Sequence, residues 1–202
     1  MEIVLASASP RRADLLRQLG LPFTVFAPGQ GRDGEDLAPP GPQPGEDPVR
    51  AAEAAARRLA ETKAEAAMQV YPAACVIGAD TIVVAEGRFL GKPTDAAEAA
   101  AMLRLLSGRP HHVVTGIALL RKQPPLRLTE SSVTRVWFRH LTDEEIARYV
   151  ASGEPMDKAG AYGIQGRAAL FVERIEGDYF TVVGLPLAVL GRLLATAGMV
   201  LP

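Results

Sequence analysis

The first twenty residues constrain the fold most, because a strand, a tight turn and a helix follow one another without spare residues. Residues 2–6 form an apolar run typical of a short strand. Ser9 and Pro10 suit the N-cap and first position of a helix, and Gly20 suits its end. We therefore predict a helix N-terminus directly after a strand, an arrangement that binds anions through unpaired backbone N–H groups.

Arg11 and Arg12 stand in the first turn of this predicted helix. Cations at that position oppose the helix dipole by several tenths of a kcal/mol to about 1 kcal/mol each. A bound anion such as a phosphate would remove the conflict. The alternative is an ordinary capped helix with two surface arginines, and these residues by themselves leave both interpretations open.

Length and pattern predict an α/β protein. The chain has 202 residues, 48% of them hydrophobic and 22% charged, which fits one globular domain over residues 1–202. Strand and helix patterns alternate in the first half, whereas long strand patterns follow each other later. We expect a mixed, twisted sheet with flanking helices.

The remaining composition excludes several classes of protein. A net charge of −1 gives no general attraction to nucleic acid polymers or anionic membranes. Cys75 is the single cysteine, which excludes an internal disulfide and a Cys-rich metal site. It lies in an apolar run, which predicts a core residue rather than a reactive thiol. The spacing of the three histidines, His111, His112 and His140, matches no metal-ligand motif, so we predict that they are structural or surface residues. Without an apolar signal or spanning segment, the sequence predicts a cytoplasmic protein.

Periodicity and turn signals predict the remaining elements. They are a strand at 22–27, a helix at 48–69, a strand at 73–85, a helix at 95–106 capped by Thr94, strands at 111–120 and 126–139, a helix from Thr142 to about Ser152, a hairpin over 169–183 and a helix after Pro186. Residues 29–34 match GxGxxG, but prolines rather than a helix follow, so we reject a dinucleotide-binding role for this loop.

Asp80 interrupts an otherwise apolar strand pattern from Val76 to Val84. A carboxylate removed from water costs several kcal/mol unless it is paired, protonated or bound to metal. A catalytic or metal-binding role would explain it, and so would pairing with an arginine or with backbone. Gly78, just before it, would allow a bend or the close approach of a ligand.

Other candidate residues lie before and after Asp80 in the sequence. Lys92 follows the Asp80 strand within a tight Gly-Lys-Pro loop, and Lys63 lies on the alanine-rich helix. Both suit a polyphosphate, although most helical lysines are simply solvated. The segment 153–166 contains four glycines and a proline, which indicates a shaped loop; it is either a connector or a ligand contact, with Gln165 able to bind a base edge.

These residue types favour one kind of chemistry. The sequence has no GxSxG element and no Walker P-loop. A carboxylate accompanied by lysines and arginines instead favours metal-assisted attack of water on a phosphate.

The chain resembles the Maf family of nucleoside triphosphate pyrophosphatases over nearly its whole length. The resemblance rests on Leu5–Arg12, Gly78–Val83, Gly91–Pro93, Tyr149–Pro155, Asp157–Gly166 and Val183–Pro186. It implies two lobes around a deep cleft, hydrolysis of a nucleoside triphosphate to monophosphate and pyrophosphate, a divalent cation (Mg²⁺ or Mn²⁺), and compatibility with a homodimer.

The resemblance also implies roles for individual residues. Asp80 corresponds to the catalytic carboxylate that activates water and contacts the metal. The phosphate-binding set would be Ser7, Ser9, Arg11, Arg12, Lys63, Lys92 and Lys158. Arg12, Thr81 and Gln165 match the specificity residues of the branch that acts on dTTP and UTP, rather than the branch that acts on 7-methyl-GTP.

The sequence departs from the family pattern at two places. Gly31-Arg32 stands where the family has an acidic pair, with Asp33, Glu35 and Asp36 close by, and Thr62 stands where a glutamate commonly precedes Lys63. A non-catalytic nucleotide-binding regulator of septation is therefore the alternative function, and 7-methyl-GTP the alternative substrate.

Overall fold

The computed structural model describes residues 2–27 and 39–199. The rejected GxGxxG segment and the acidic residues Asp33, Glu35 and Asp36 lie outside these ranges. The strands are β1 (Ile3–Ala6), β2 (Thr24–Phe26), β3 (Cys75–Ala85), β4 (Arg88–Leu90), β5 (Pro110–Arg121), β6 (Leu126–Phe138) and β7 (Val172–Glu176). The α-helices are α1 (Pro10–Gln18), α2 (Pro48–Val70), α3 (Ala96–Leu106), α4 (Asp143–Ala151), α5 (Tyr179–Val183) and α6 (Leu187–Thr196).

The seven strands form one mixed sheet, which confirms the predicted fold class. The strand order is β2-β1-β3-β5-β6-β7, and β4 pairs separately with β3. β1 runs parallel to both β2 and β3, whereas β3, β5, β6 and β7 pair antiparallel. None of the helices in the described ranges is long and apolar enough to cross a membrane.

Alternation along β3 divides the core into two layers. Val76 and Ile82 belong to the clusters packed against α2, whereas Ile77 and Val83 belong to the cluster on the opposite face. The opposite face is covered by the apolar residues of α1, α3, α4 and α6. Cys75 is buried, and burial raises its thiol pKa to about 11, so the predicted core role is confirmed.

Helix α2 lies unusually close to the sheet because small residues meet at the contact. Its buried side chains are all alanines. Gly78 on β3 and Gly116 on β5 face the helix backbone, and a Cβ on either glycine would lie less than 3.0 Å from α2 atoms. The close approach predicted at Gly78 is therefore made by a helix and not by a ligand.

Two local predictions are wrong. The second half of the predicted hairpin at 169–183 is the helix α5, because the Asp178 side chain caps the Thr181 N–H at 2.7 Å and Gly184 ends the helix at φ 115°. The N-cap of α3 is Asp95 rather than Thr94, which instead donates to Glu98. Ser9 is the N-cap of α1 as predicted, although its side chain makes no capping bond.

Candidate active site

The candidate site is a cleft at a gap in the pairing of β3. β1 pairs with this strand as far as Gly78, and β4 pairs with it from Val83 onward. Between them, the edge of β3 at residues 79–82 has no strand partner on that side among the described residues. Adjacent residues on opposite faces of the strand, Asp80 and Thr81, therefore both line the same cleft.

The cleft has a volume of about 570 Å³, large enough for a nucleotide. All ten residues that the sequence singled out line it, although they come from distant parts of the chain: Ser7, Ser9, Arg11, Arg12, Lys63, Asp80, Thr81, Lys92, Lys158 and Gln165. Among the described residues, five cations and two carboxylates line the cleft. A chain with a net charge of −1 thus concentrates positive charge at one place.

Asp80 is paired with Lys63. The Lys63 Nζ atom donates to Asp80 Oδ1 at 2.7 Å, and the two side chains are 18% and 16% exposed. The partner of the buried carboxylate is therefore a lysine from α2, not the arginine or backbone partner considered from sequence. An ammonium has three N–H donors, so Lys63 keeps two for a phosphate beside the carboxylate.

Arg12 lines the cleft and is held in place by three hydrogen bonds. Its Nε donates to the Gly184 carbonyl at 2.7 Å, its Nη1 to Ser7 Oγ at 3.0 Å and its Nη2 to Thr81 Oγ1 at 3.0 Å. Burial lowers the pKa of Arg12, and the negative charge of Asp80 partly offsets this. Since arginine stays protonated in proteins, Arg12 remains a fixed cation with two further N–H groups.

Ser7 and Gly184 support this arginine from opposite sides. Ser7 Oγ accepts from Arg12 and from the Ser9 N–H at 3.2 Å, which leaves its own hydrogen for another acceptor. Gly184 adopts φ 115°, and a Cβ there would lie 3.2 Å from Thr81 Oγ1 and 3.4 Å from Arg12 Nε. The position therefore needs glycine, both for its backbone conformation and for the close approach.

Arg11 and Lys158 share one carboxylate across the cleft. Asp157 Oδ2 lies 3.2 Å from Arg11 Nη1, and Asp157 Oδ1 lies 2.5 Å from Lys158 Nζ. Partial burial by itself would raise the pKa of Asp157, but the bonds and charges of Lys158 and Arg11 lower it below its usual value. A phosphate could replace Asp157 as the anion that these two cations contact.

The loop that presents Gln165 is fixed by a carboxylate that the sequence analysis did not single out. Glu154 accepts from Tyr149 Oη at 2.9 Å and from the Arg167 N–H at 3.1 Å, and the Tyr149 hydroxyl accepts from the Gly163 N–H at 3.3 Å. The backbone on both sides of residue 165 is therefore anchored to the hydrogen-bonded pair of Tyr149 and Glu154. The loop is a shaped structure, as its glycines predicted, and a Cβ on Gly166 would collide with Glu154.

The loop that contains Lys92 is anchored to the same region. The Gly160 N–H donates to the Gly91 carbonyl at 3.0 Å. Gly160 has φ 69°, and a Cβ there would lie 3.0 Å from the Val83 side chain, so glycine is needed for this contact. The β4–α3 loop and the loop at 153–166 therefore bring Lys92 and Lys158 to one side of the cleft.

His111 supports the wall behind the site, as a structural residue. It is 1% exposed, and its Nε2 lies 2.8 Å from the hydroxyl of Tyr162, a residue that lines the cleft. Burial lowers the pKa of His111 from its ordinary value of 6.5 to about 3, with a smaller contribution from His112. The folded protein therefore holds this imidazole neutral.

This neutral histidine predicts a loss of stability in acid. The unfolded chain binds a proton at His111 below about pH 6.5 and the folded protein only below about pH 3, so stability falls as pH decreases through that window. Between pH 7 and pH 5 the loss due to this group is about 2 kcal/mol. We expect His111→Gln to reduce the pH dependence of the unfolding free energy, measured with urea at both pH values.

The matched control is His140→Gln, because His140 is exposed. This variant removes an exposed imidazole in place of a buried one, so the reduction in pH dependence should be larger for His111→Gln than for His140→Gln. If His111→Gln and the wild type lost the same free energy between pH 7 and pH 5, the neutral state of His111 would be contradicted.

The donor set fits a divalent cation shared with substrate phosphates. No group of three or more His, Cys, Asp or Glu side chains that could hold a metal occurs in residues 2–27 and 39–199. Two carboxylates, Asp80 and Asp157, do line the cleft. Mg²⁺ commonly uses one or two carboxylates together with phosphate oxygens and water, and this cleft offers such a set.

The fold and the cleft define an α/β protein of a known structural type. The Staphylococcus aureus Ham1 protein has a similar structure, with a TM-score of 0.51 over 98% of this chain and 100% of that chain, at 14% sequence identity. The chain belongs to the Maf family: the family described as "Maf-like protein" matches residues 2–197.

Relatives in this family are similar along nearly their whole length. A Geobacillus sp. (strain WCH70) protein named dTTP/UTP pyrophosphatase is 51% identical over 93% of each chain. Proteins of the same name from Pelotomaculum thermopropionicum and Moorella thermoacetica are each 50% identical, over 98% of this chain and 97% and 96% of theirs. The predicted family is therefore confirmed.

Proposed function

We propose that this protein hydrolyses dTTP and UTP to the nucleoside monophosphate and pyrophosphate. The observation that supports this most directly is the single Asp80–Lys63 pair at the open edge of β3, surrounded by further cations. The relatives' names agree with it. The cleft offers one carboxylate for proton transfer and several donors for a polyphosphate, which this reaction requires.

Asp80 acts in this proposal as the general base. It takes a proton from water as the water oxygen attacks the α-phosphorus. A bond forms between that oxygen and phosphorus, the bond to the bridging oxygen of the β-phosphate breaks, and pyrophosphate leaves. Lys63, already bonded to Asp80 at 2.7 Å, places a positive charge where the attacked phosphate gains negative charge.

The other cations hold the phosphate chain. Arg11 and Lys158 exchange Asp157 for phosphate oxygens, Lys92 contributes a further ammonium, and Ser7 donates its hydroxyl hydrogen. Ser9 lies in the turn before α1, whose first N–H groups have no partners inside the helix. Ser7 is already held by Arg12 and by the Ser9 N–H, so its hydroxyl can stabilise transition-state charge with little rearrangement.

A divalent cation, Mg²⁺ or Mn²⁺, is part of the proposal. Asp80 would hold it together with phosphate oxygens, and the bound cation would neutralise the charge of the departing pyrophosphate. Gln165, Thr81 and Arg12 would contact the base. We propose a cytoplasmic protein with a small nucleotide as substrate rather than a nucleic acid polymer, and a homodimer stays a prediction.

Product analysis tests the reaction. UTP, dTTP and 7-methyl-GTP are incubated separately with the protein and Mg²⁺ in ¹⁸O-labelled water. We expect UTP and dTTP to give labelled monophosphate and unlabelled pyrophosphate, faster than 7-methyl-GTP reacts. Release of inorganic phosphate and a nucleoside diphosphate would contradict the proposed reaction. Binding of dTTP without turnover would favour the alternative function, a non-catalytic nucleotide-binding regulator.

Arg12→Lys is expected to lower kcat/KM for UTP by about 10²-fold, through loss of roughly two hydrogen bonds to a charged group. A lysine ammonium cannot reach Ser7, Thr81 and the Gly184 carbonyl in the planar geometry of the guanidinium. Steady-state kinetics with UTP measure the effect.

Arg17→Lys is the matched control on the same helix. Arg17 is exposed and pairs with Asp14 at 2.5 Å, outside the cleft. Its substitution should change kcat/KM less than about twofold, as expected of an exposed ion pair. Equal effects of the two substitutions would show that the geometry of Arg12 is unimportant.

A further inference from the structure

A chain of hydroxyl groups leads from the cleft into the protein interior. Thr81 Oγ1 lies 3.0 Å from Thr115 Oγ1, and Thr115 Oγ1 lies 2.7 Å from the Thr181 carbonyl oxygen. Thr115 is fully buried on β5, directly opposite Thr81 in the sheet. Thr81 lines the cleft and Thr115 does not.

The direction of each hydrogen bond follows from the chemistry of the groups. A carbonyl oxygen only accepts, so the single hydrogen of Thr115 goes to Thr181. The hydrogen between the two hydroxyls must then belong to Thr81. The Thr181 carbonyl needs this donor because it lies near the end of α5, where the Leu185 N–H donates to Phe180 instead.

Arg12 fixes the other side of Thr81. Its Nη2 donates to Thr81 Oγ1 at 3.0 Å, and a guanidinium has no acceptor that could reverse this bond. The hydrogen of Thr81 is therefore directed toward Thr115, while the Thr81 oxygen accepts. Toward a ligand in the cleft, Thr81 presents only an acceptor.

We infer that Thr115 is a positioning residue that makes the site select bases with a ring N–H. Uracil and thymine carry N3–H, which can donate to Thr81, whereas cytosine has an unprotonated N3 that would face the Thr81 oxygen. The two further N–H groups of Arg12 suit a carbonyl oxygen next to that N3–H. This inference rests on the proposed function and specifies how its base selection arises.

Gln165 cannot supply this selectivity by itself. Its amide has a donor and an acceptor at its end and can bind either type of base after a half-turn. Thr81 differs because two neighbours fix its hydrogen. The fixed direction of the Thr81 hydroxyl hydrogen therefore originates at Thr115, which lies behind Thr81 and does not line the cleft.

Thr115→Val tests the inference, with Thr115→Ser as the conservative variant. Valine has nearly the shape of threonine but frees the Thr81 hydroxyl to rotate and donate into the cleft. We expect the ratio of kcat/KM for UTP to that for CTP to fall about tenfold in Thr115→Val, the effect of roughly one hydrogen bond. Thr115→Ser should keep the ratio of the wild type.

Thr134→Val controls for damage to α5. Thr134 is also fully buried and bonds both backbone groups of Asp178, the N-cap of α5, but does not touch Thr81. It should lower thermal stability without changing the UTP-to-CTP ratio. An equal fall in that ratio for Thr134→Val, or an unchanged ratio for Thr115→Val, would overturn the inference, as would a wild type without preference for UTP.

A binding measurement separates this inference from the proposed function. If the wild type bound nucleotides but hydrolysed none, the proposed function would fail. The ratio of UMP affinity to CMP affinity, measured by calorimetry, would then replace the kinetic ratio as the readout for the wild type and the three variants. A preference for UMP that is lost only in Thr115→Val would support the role of Thr115, and any other pattern would contradict it.

Discussion

Asp80→Asn is expected to lower kcat for UTP by about 10²- to 10⁴-fold, the usual contribution of a general base. The amide is similar in size to the carboxylate. Its oxygen can still accept from Lys63 Nζ, which lies 2.7 Å from Asp80 Oδ1 in the wild type. It cannot take a proton from water. Rapid-quench and steady-state measurements should therefore show a loss in kcat, with the protein still folded and able to bind UTP.

Asp143→Asn provides a matched control for this substitution. Asp143 also pairs with a cation, Arg104 at 2.7 Å, but it lies on α4 and its side chain is 78% exposed. It should leave kcat within about twofold of the wild type, because exposed pairs contribute little. If Asp80→Asn kept more than about a tenth of the wild-type kcat, another group would have to be the base.

Three of the ten candidate residues were predictable because each violates a local rule. Asp80 is a charge in an apolar strand, and Arg11 and Arg12 oppose a helix dipole. Such conflicts are visible without coordinates, since the rule depends only on neighbouring residues. The structure adds that the chain elements bring these residues to one cleft.

In the sequence, only the resemblance distinguishes the two arginines, because it places Arg12 and not Arg11 among the specificity residues. The structure shows a physical difference: Arg12 is 9% exposed and bonded to three groups, whereas Arg11 reaches Asp157 across the cleft. The bonds of Arg12 come from residues far apart in the chain. Long-range partners of this kind leave no periodic signal in a sequence.

Thr115 and α5 were missed for a related reason. Thr115 is a polar residue in an apolar strand pattern, which is the signal that indicated Asp80. Threonine is common in strands, however, so its presence there does not indicate a functional role. Residues 179–183 have the β-branched and aromatic composition of a strand. The cap at Asp178 and the left-handed Gly184 override that preference.

Gly78→Ala is expected to reduce both stability and activity, because this glycine sets the distance between α2 and β3. The new Cβ would lie less than 3.0 Å from the Ala60 carbonyl oxygen and 3.0 Å from the Ala64 Cβ. Helix α2 must move outward, which should lower the free energy of unfolding by about 1–3 kcal/mol. Chemical denaturation measures that loss.

The activity loss should exceed what unfolding explains, and this distinguishes positioning from general damage. Gly78 and Asp80 face α2 from alternate positions of β3, and Lys63 lies one helical turn beyond Ala60. An outward shift of α2 therefore separates Lys63 from Asp80, so kcat per folded molecule should fall at least about tenfold.

Gly41→Ala is the control for Gly78→Ala, since a Cβ there would meet no atom within 4 Å. It should change the unfolding free energy by less than about 0.5 kcal/mol and leave kcat unchanged. If Gly78→Ala lost stability but kept the wild-type kcat, the Lys63–Asp80 distance would not limit the chemistry. The alanine face of α2 would then serve stability only. A fall in kcat confined to Gly78→Ala would instead mean that glycine at a helix–sheet contact determines the geometry of the general base.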